Sequence, residues 1–69
     1  MENGEFLKNM GAKIRSARKS KKMAINVLAE RSKIDLSNLS FSERGERNCH
    51  ILSLKSIAEV LEVDVKDFL

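Results

Sequence analysis

Leu28-Ala29-Glu30-Arg31-Ser32-Lys33-Ile34-Asp35-Leu36-Ser37-Asn38-Leu39-Ser40 is the stretch whose reading decides the architecture. A helix from about Ala24 to Ser32 turns Leu28 and Ala29 to one side. Ser32-Lys33-Ile34 interrupts it. Asp35 then has the chemistry of an N-cap, because its carboxylate can accept from a backbone N–H that the first helical turn leaves without a partner. A further helix follows from Leu36 to about Arg44, and Gly45 stops it.

Outward from this corner the pattern stays helical. Upstream, Leu7, Met10, Ile14 and Ala17 form one apolar stripe over a helix from about Glu5 to Ser20, closed by the cations Lys19 to Lys22. Residues 1–5 are polar and are expected to fray, leaving 6–69 as the single domain. Downstream, the polar stretch Glu46 to His50 leads to a helix over about Ile51 to Glu62 with the stripe Leu54, Ile57, Ala58 and Leu61. Asp64 then opens a short final turn ending at Phe68-Leu69. There is no proline, there are three glycines, and no strand-like alternation is sustained. The expected class is all-α, a compact bundle of four to five short helices. The second helix, the three-residue break and the third helix have the spacing of a helix-turn-helix.

A chain of 69 residues buries a modest core. It leaves no room for a separate ligand-sensing domain, and neither a small-molecule ligand nor a cofactor is expected. The single cysteine, Cys49, excludes an internal disulfide and suits a reducing cytoplasm. No apolar segment reads as a signal or a membrane span. Net charge is +3 but uneven. Lys8, Lys13, Arg15, Arg18, Lys19, Lys21 and Lys22 fall between Phe6 and Ala29 with no acidic residue among them. Glu59, Glu62, Asp64 and Asp67 face only Lys66 after Ile57. A basic front and an acidic back suit a polyanion on one face.

Ile14-Arg15 and Arg18, Leu28-Ala29-Glu30, Ile34-Asp35, Leu39-Ser40, Glu43-Arg44-Gly45, Arg47-Asn48, Leu54, Ile57-Ala58, Leu61 and Val63 stand in this order along the chain. On these residues the chain, from Met10 to Leu69, resembles the Xre/Cro-like family of phage-repressor-type helix-turn-helix domains. The run Glu43 to Asn48, with the helix after it, is similar to the small controller proteins of restriction–modification systems. The resemblance implies the lambda-repressor-like fold. It also implies a transcriptional regulator that binds a two-fold symmetric site on double-stranded DNA as a homodimer. By family geometry, Leu36, Ser37, Asn38 and Phe41 would face base edges, the apolar pair favouring thymine methyls and hence A·T pairs. Lys22, Lys33, Arg44 and Arg47 would grip phosphates. Arg18 and Glu43 would form a structural ion pair.

The sequence departs from the family at several points. Ala24 stands where a capping residue is usual, and Ile25 where glutamine is. Lys33 replaces a turn glycine, a left-handed position that costs a side chain about 1 kcal/mol. Phe41-Ser42 inverts the usual polar-then-apolar order, leaving a small residue toward the core and aiming Phe41 outward. Ile25, Leu36 and Phe41 are therefore expected to share an exposed apolar patch, which supports an alternative: the same fold used to bind a protein, as an antirepressor or antitoxin-like adaptor. Surplus apolar residues near the C-terminus, Leu52, Val60, Val65, Phe68 and Leu69, are expected to form an isologous dimer interface. Cys49 and His50 lack a third orienting group for nucleophilic catalysis and are too few for a structural zinc site, so neither an enzyme nor a metal is expected.

Overall fold

The computed structural model describes residues 3–69. Its elements are α1 (Asn3–Ser20), α2 (Ile25–Ser32), α3 (Leu36–Glu43), α4 (Ile51–Leu61) and a closing 3-10 turn (Val65–Phe68). Helix α1 begins before the expected start, so Asn3, Gly4 and Glu5 are helical; Met1 and Glu2 lie outside the described residues.

The helix ends explain the boundaries. Asp35 caps α3, its Oδ2 accepting from Asn38 N at 3.3 Å, and Asp64 caps the final turn, accepting from Lys66 N at 3.3 Å. Helix α4 is capped by His50, whose Nδ1 accepts from Leu52 N at 3.2 Å. Ala24 gives α2 no side-chain cap. At their C-termini the four α-helices share one device, a left-handed residue followed by a backbone bond that reaches back across the last turn. Lys22 (φ 55°), Lys33 (φ 59°), Gly45 (φ 75°) and Glu62 (φ 60°) are the left-handed residues. The next residue of each donates to the helix: Met23 to Arg18 O, Ile34 to Ala29 O, Glu46 to Phe41 O and Val63 to Ala58 O, at 2.9–3.2 Å. Met23, Ile34 and Val63 then pack against the core, so each stop also turns the chain inward.

Three of those positions carry a side chain where glycine would be unstrained. Lys33→Gly is therefore expected to stabilise the domain by about 1 kcal/mol. In a domain of this size that raises the melting temperature by about 4–8 °C. A thermal melt showing a lower midpoint would contradict it.

The core comprises Met10 and Ile14 of α1, Leu28 and Ala29 of α2, Leu39 of α3, Leu54, Ile57, Ala58 and Leu61 of α4, and Phe68. Leu7 and Ala17, at the ends of the α1 stripe, are half-buried at its margin. Helix α1 packs on α3, α4 and the final turn, and α2 on α3 and α4. Helix α3 thus rests on two neighbours while its outer side stays free. Phe68 corrects the sequence reading: it is 1% exposed and fills the monomer's own core, so it is no intersubunit contact. The 3-10 turn carries its ring back under α1 and α4, which a linear apolar count could not anticipate. Among the described residues, no helix is long and apolar enough to cross a membrane.

Candidate nucleic-acid interface

Helix α3 presents its N-terminal residues outward. Leu36, Ser37 and Asn38 are all exposed, Leu36 at 46%, while Leu39 and Ser42 on the opposite side are buried. The eight-residue helix is anchored at both ends, by Asp35 at its start and by Gly45 at its end.

One anchor is electrostatic. Arg18 Nε donates to Glu43 Oε2 at 2.7 Å and Arg18 Nη2 to Glu43 Oε1 at 3.0 Å, a bidentate pair joining α1 to the last residue of α3. Arg18 Nη1 donates to Met23 O at 2.9 Å, tying in the turn before α2 as well. The two side chains are only 11% and 4% exposed. This guanidinium is consumed by the scaffold and is not offered to a ligand.

The remaining basic run is divided rather than gathered on one face. Lys13 Nζ donates to Leu69 O at 3.1 Å, and Lys21 Nζ pairs with Glu62 at 3.0 Å, both toward the acidic C-terminal segment. Lys22 and Lys33, each at a left-handed turn, are exposed with no such partner among the described residues.

Beyond α3 lies an arrangement the linear pattern did not disclose. The guanidinium carbons of Arg44 and Arg47 sit over the Phe41 ring at 4.9 and 4.8 Å from its centroid, within cation–π range. Arg47 Nη1 also donates to Asn38 Oδ1. Asn38, Phe41, Arg44 and Arg47 are thus one cluster, running from the first turn of α3 to the segment after it. The signal available in sequence was the three-residue spacing of Phe41 and Arg44, which places them on one helix side.

The expected apolar patch of Ile25, Leu36 and Phe41 does not form. Ile25 packs against the core, and Phe41 is half-buried beneath two guanidiniums, which leaves Leu36 alone exposed. The physical reason is that an aromatic face attracts nearby arginines more readily than it tolerates open water.

Cys49 and His50 have local roles. Burial pushes the Cys49 thiol up from its ordinary value, opposed in part by a hydrogen bond with the Ser42 side chain. That disfavours the nucleophilic thiolate. The imidazole of His50 is engaged as the α4 cap.

A helix-turn-helix family model matches residues 14–68. No curated protein is significantly similar to the chain. Among solved structures, the restriction–modification controller protein C.AhdI from Aeromonas hydrophila is 27% identical. It aligns with a TM-score of 0.87 over 91% of this chain and 96% of its own. A point mutant of the restriction–modification controller protein C.Esp1396I is 35% identical, with a TM-score of 0.82 over 91% of this chain and 80% of its own. The clp gene regulator ClgR from Corynebacterium glutamicum is 32% identical, with a TM-score of 0.87 over 91% of this chain and 67% of its own. With the α2–turn–α3 corner, the capped third helix and a match that spans most of its length, the chain belongs to the Xre/Cro-like helix-turn-helix family.

Proposed function

We propose that this protein is a transcriptional regulator that binds double-stranded DNA through α3, as a homodimer on a two-fold symmetric operator. The observation that carries the reading is the placement of α3: its first turn is exposed and capped, and Arg44 and Arg47 flank it. Leu36, Ser37 and Asn38 are the base-reading candidates, and Leu36 favours an A·T pair through the thymine methyl. Arg44, Arg47, Lys22 and Lys33 are the phosphate contacts. The uncapped start of α2 adds backbone N–H groups suited to a phosphate. The similarity to stand-alone controller proteins of comparable length supports the same reading, in a restriction–modification or similar circuit. Use of the fold to bind a protein instead loses its main support, since the patch that motivated it is absent.

Dimerisation rests on what α4 and the C-terminus leave uncovered. Leu52 and Leu69 are 66% and 56% exposed, and Val60 and Val65 are half-buried at the margin of the core. Ile51, beside Leu52 in the first turn of α4, is also exposed. An isologous pairing there would set two α3 helices on successive major grooves about 34 Å apart.

Selection of bound duplexes from a random pool tests the whole reading, with recovery of a palindromic site as the expected result. On any recovered site, Arg44→Ala and Arg47→Ala are each expected to lower the salt slope of binding by about one and to weaken affinity across sequences. Sedimentation should show a dimer at micromolar concentration. Recovery of no sequence, or slopes that neither arginine changes, would overturn the proposal.

A further inference from the structure

We propose that Phe41 is a positioning residue that holds Arg44 and Arg47 as a preformed two-cation clamp for the DNA backbone, with Asn38 fixing the orientation of Arg47. The inference rests on the DNA-binding reading above and goes beyond it. The residue expected to touch a base instead organises the residues that touch phosphate.

The geometry carries it. Both guanidinium carbons lie within 5 Å of one ring centroid, at 4.9 and 4.8 Å, so they are no farther apart than about 10 Å. Two like charges at that distance repel one another. Unsupported, exposed arginine side chains would spread into solvent and sample many rotamers. The ring face opposes this, because its quadrupole attracts a cation while the guanidinium plane packs on carbon. Arg47 is further restricted by its bond to Asn38 Oδ1, from the first turn of α3. Among the described residues only one weak contact competes for the pair, Arg44 Nε to Glu46 Oε2 at 3.7 Å between exposed side chains.

A polyanion is the ligand class that such a pair fits. Duplex DNA carries a charge about every 1.7 Å of its axis, so two cations held close together meet several phosphates at once. Their mutual repulsion in the free protein is relieved on binding. Ordering the two side chains before encounter removes part of the entropy cost that binding would otherwise incur. Phe41 itself contributes no charge, so its effect must appear in affinity and not in the number of counterions released.

Fluorescence anisotropy with a mixed-sequence duplex of about 30 base pairs tests this without knowledge of the operator, because nonspecific binding is set by phosphates. Phe41→Leu keeps an apolar side chain of similar bulk but removes the ring. It should weaken binding about tenfold with an unchanged salt slope. Phe41→Tyr keeps the ring and should bind within about twofold of the wild type. In an Arg44→Ala/Arg47→Ala background, Phe41→Leu should have no further effect. In the free protein, ring-current shifts of the Arg44 and Arg47 side-chain protons should persist in the tyrosine variant and vanish in the leucine variant, a change that mere packing would not produce. Duplex binding absent from the wild type overturns the regulatory reading and the clamp with it. Wild-type binding that Phe41→Leu leaves unaltered overturns the clamp alone. So does a leucine penalty that persists without the arginines, or a tyrosine variant that fails to restore binding.

Discussion

Replacing Glu43 by alanine is expected to destabilise the domain by about 3–5 kcal/mol, because it leaves the Arg18 guanidinium buried without its counter-charge. The pair joins α1 to the end of α3 through two bonds of 2.7 and 3.0 Å, with both side chains largely excluded from solvent. Surface ion pairs such as Lys21–Glu62 contribute little, since water and salt screen them. The difference lies in burial, which makes a stranded charge costly even where the intact pair adds little net stability. At about 0.05–0.15 kcal/mol per residue, a domain of 69 residues has about 3–10 kcal/mol in hand, of which this loss is a large share. Glu43→Ala should therefore lower the melting temperature by at least about 12 °C and leave the chain largely unfolded in mild urea. Arg18→Lys should fail as a replacement, because an ammonium cannot supply the planar fork to Glu43 and a third donor to Met23 O together. A double variant, Arg18→Met with Glu43→Leu, should lose much less than the sum of the single losses, with a residual cost of about 1 kcal/mol for the unserved Met23 carbonyl. Urea titrations of the four proteins measure this cycle. A Glu43→Ala variant within 1 kcal/mol of the wild type would refute it.

The same pair shows what the sequence could and could not disclose. Periodicity sufficed for the helices: apolar spacing located them, and Asp35, Gly45 and Asp64 marked their boundaries because cap chemistry is local. The expected C-terminal ends of α1 and α4 hold to within a residue, while the left-handed backbone at Lys22 and Glu62 was hidden, since neither residue type advertises one. The Arg18–Glu43 pairing came from family resemblance, because spacing alone cannot say which helix an outward-pointing arginine will meet. Phe68 was misjudged for a related reason: a terminal aromatic looks surplus until the turn that returns it to the core is known. Around α3, exposure of Leu36, Ser37 and Asn38 follows from the helix face. The Phe41 cluster depends on where the chain goes after Gly45, and no periodic pattern encodes that.

Gly11→Ala is expected to be as damaging as loss of the ion pair, although on an isolated helix it would help by about 1 kcal/mol. Gly11 is buried in α1 at its crossing with α3. A Cβ built there would lie 2.3 Å from the Ser42 carbonyl oxygen and 2.6 Å from that of Glu43. Those obstacles are backbone atoms, so no rotamer change can move them aside. To accept a methyl group, α1 and α3 must separate by about 1 Å, where a well-packed interface already resists smaller changes. Overpacking usually costs about 1–3 kcal/mol, and rigid backbone on one side puts this site at or above the upper end. The cost also propagates, because Glu43 both blocks the methyl group and holds Arg18, so separating the helices stretches the bidentate bonds. Two consequences follow for a folded Gly11→Ala protein. Its melting temperature should fall by upwards of about 12 °C. Its α3 should sit displaced relative to α1, with the Arg18 side-chain NεH signal shifted in the NMR spectrum. Combining Gly11→Ala with Glu43→Ala should cost less than the sum of the two, since the first variant already weakens what the second removes. Full additivity would mean that helix spacing and ion pair are independent, and a Gly11→Ala protein as stable as the wild type would mean that the close α1–α3 approach is not what sets the position of the recognition helix.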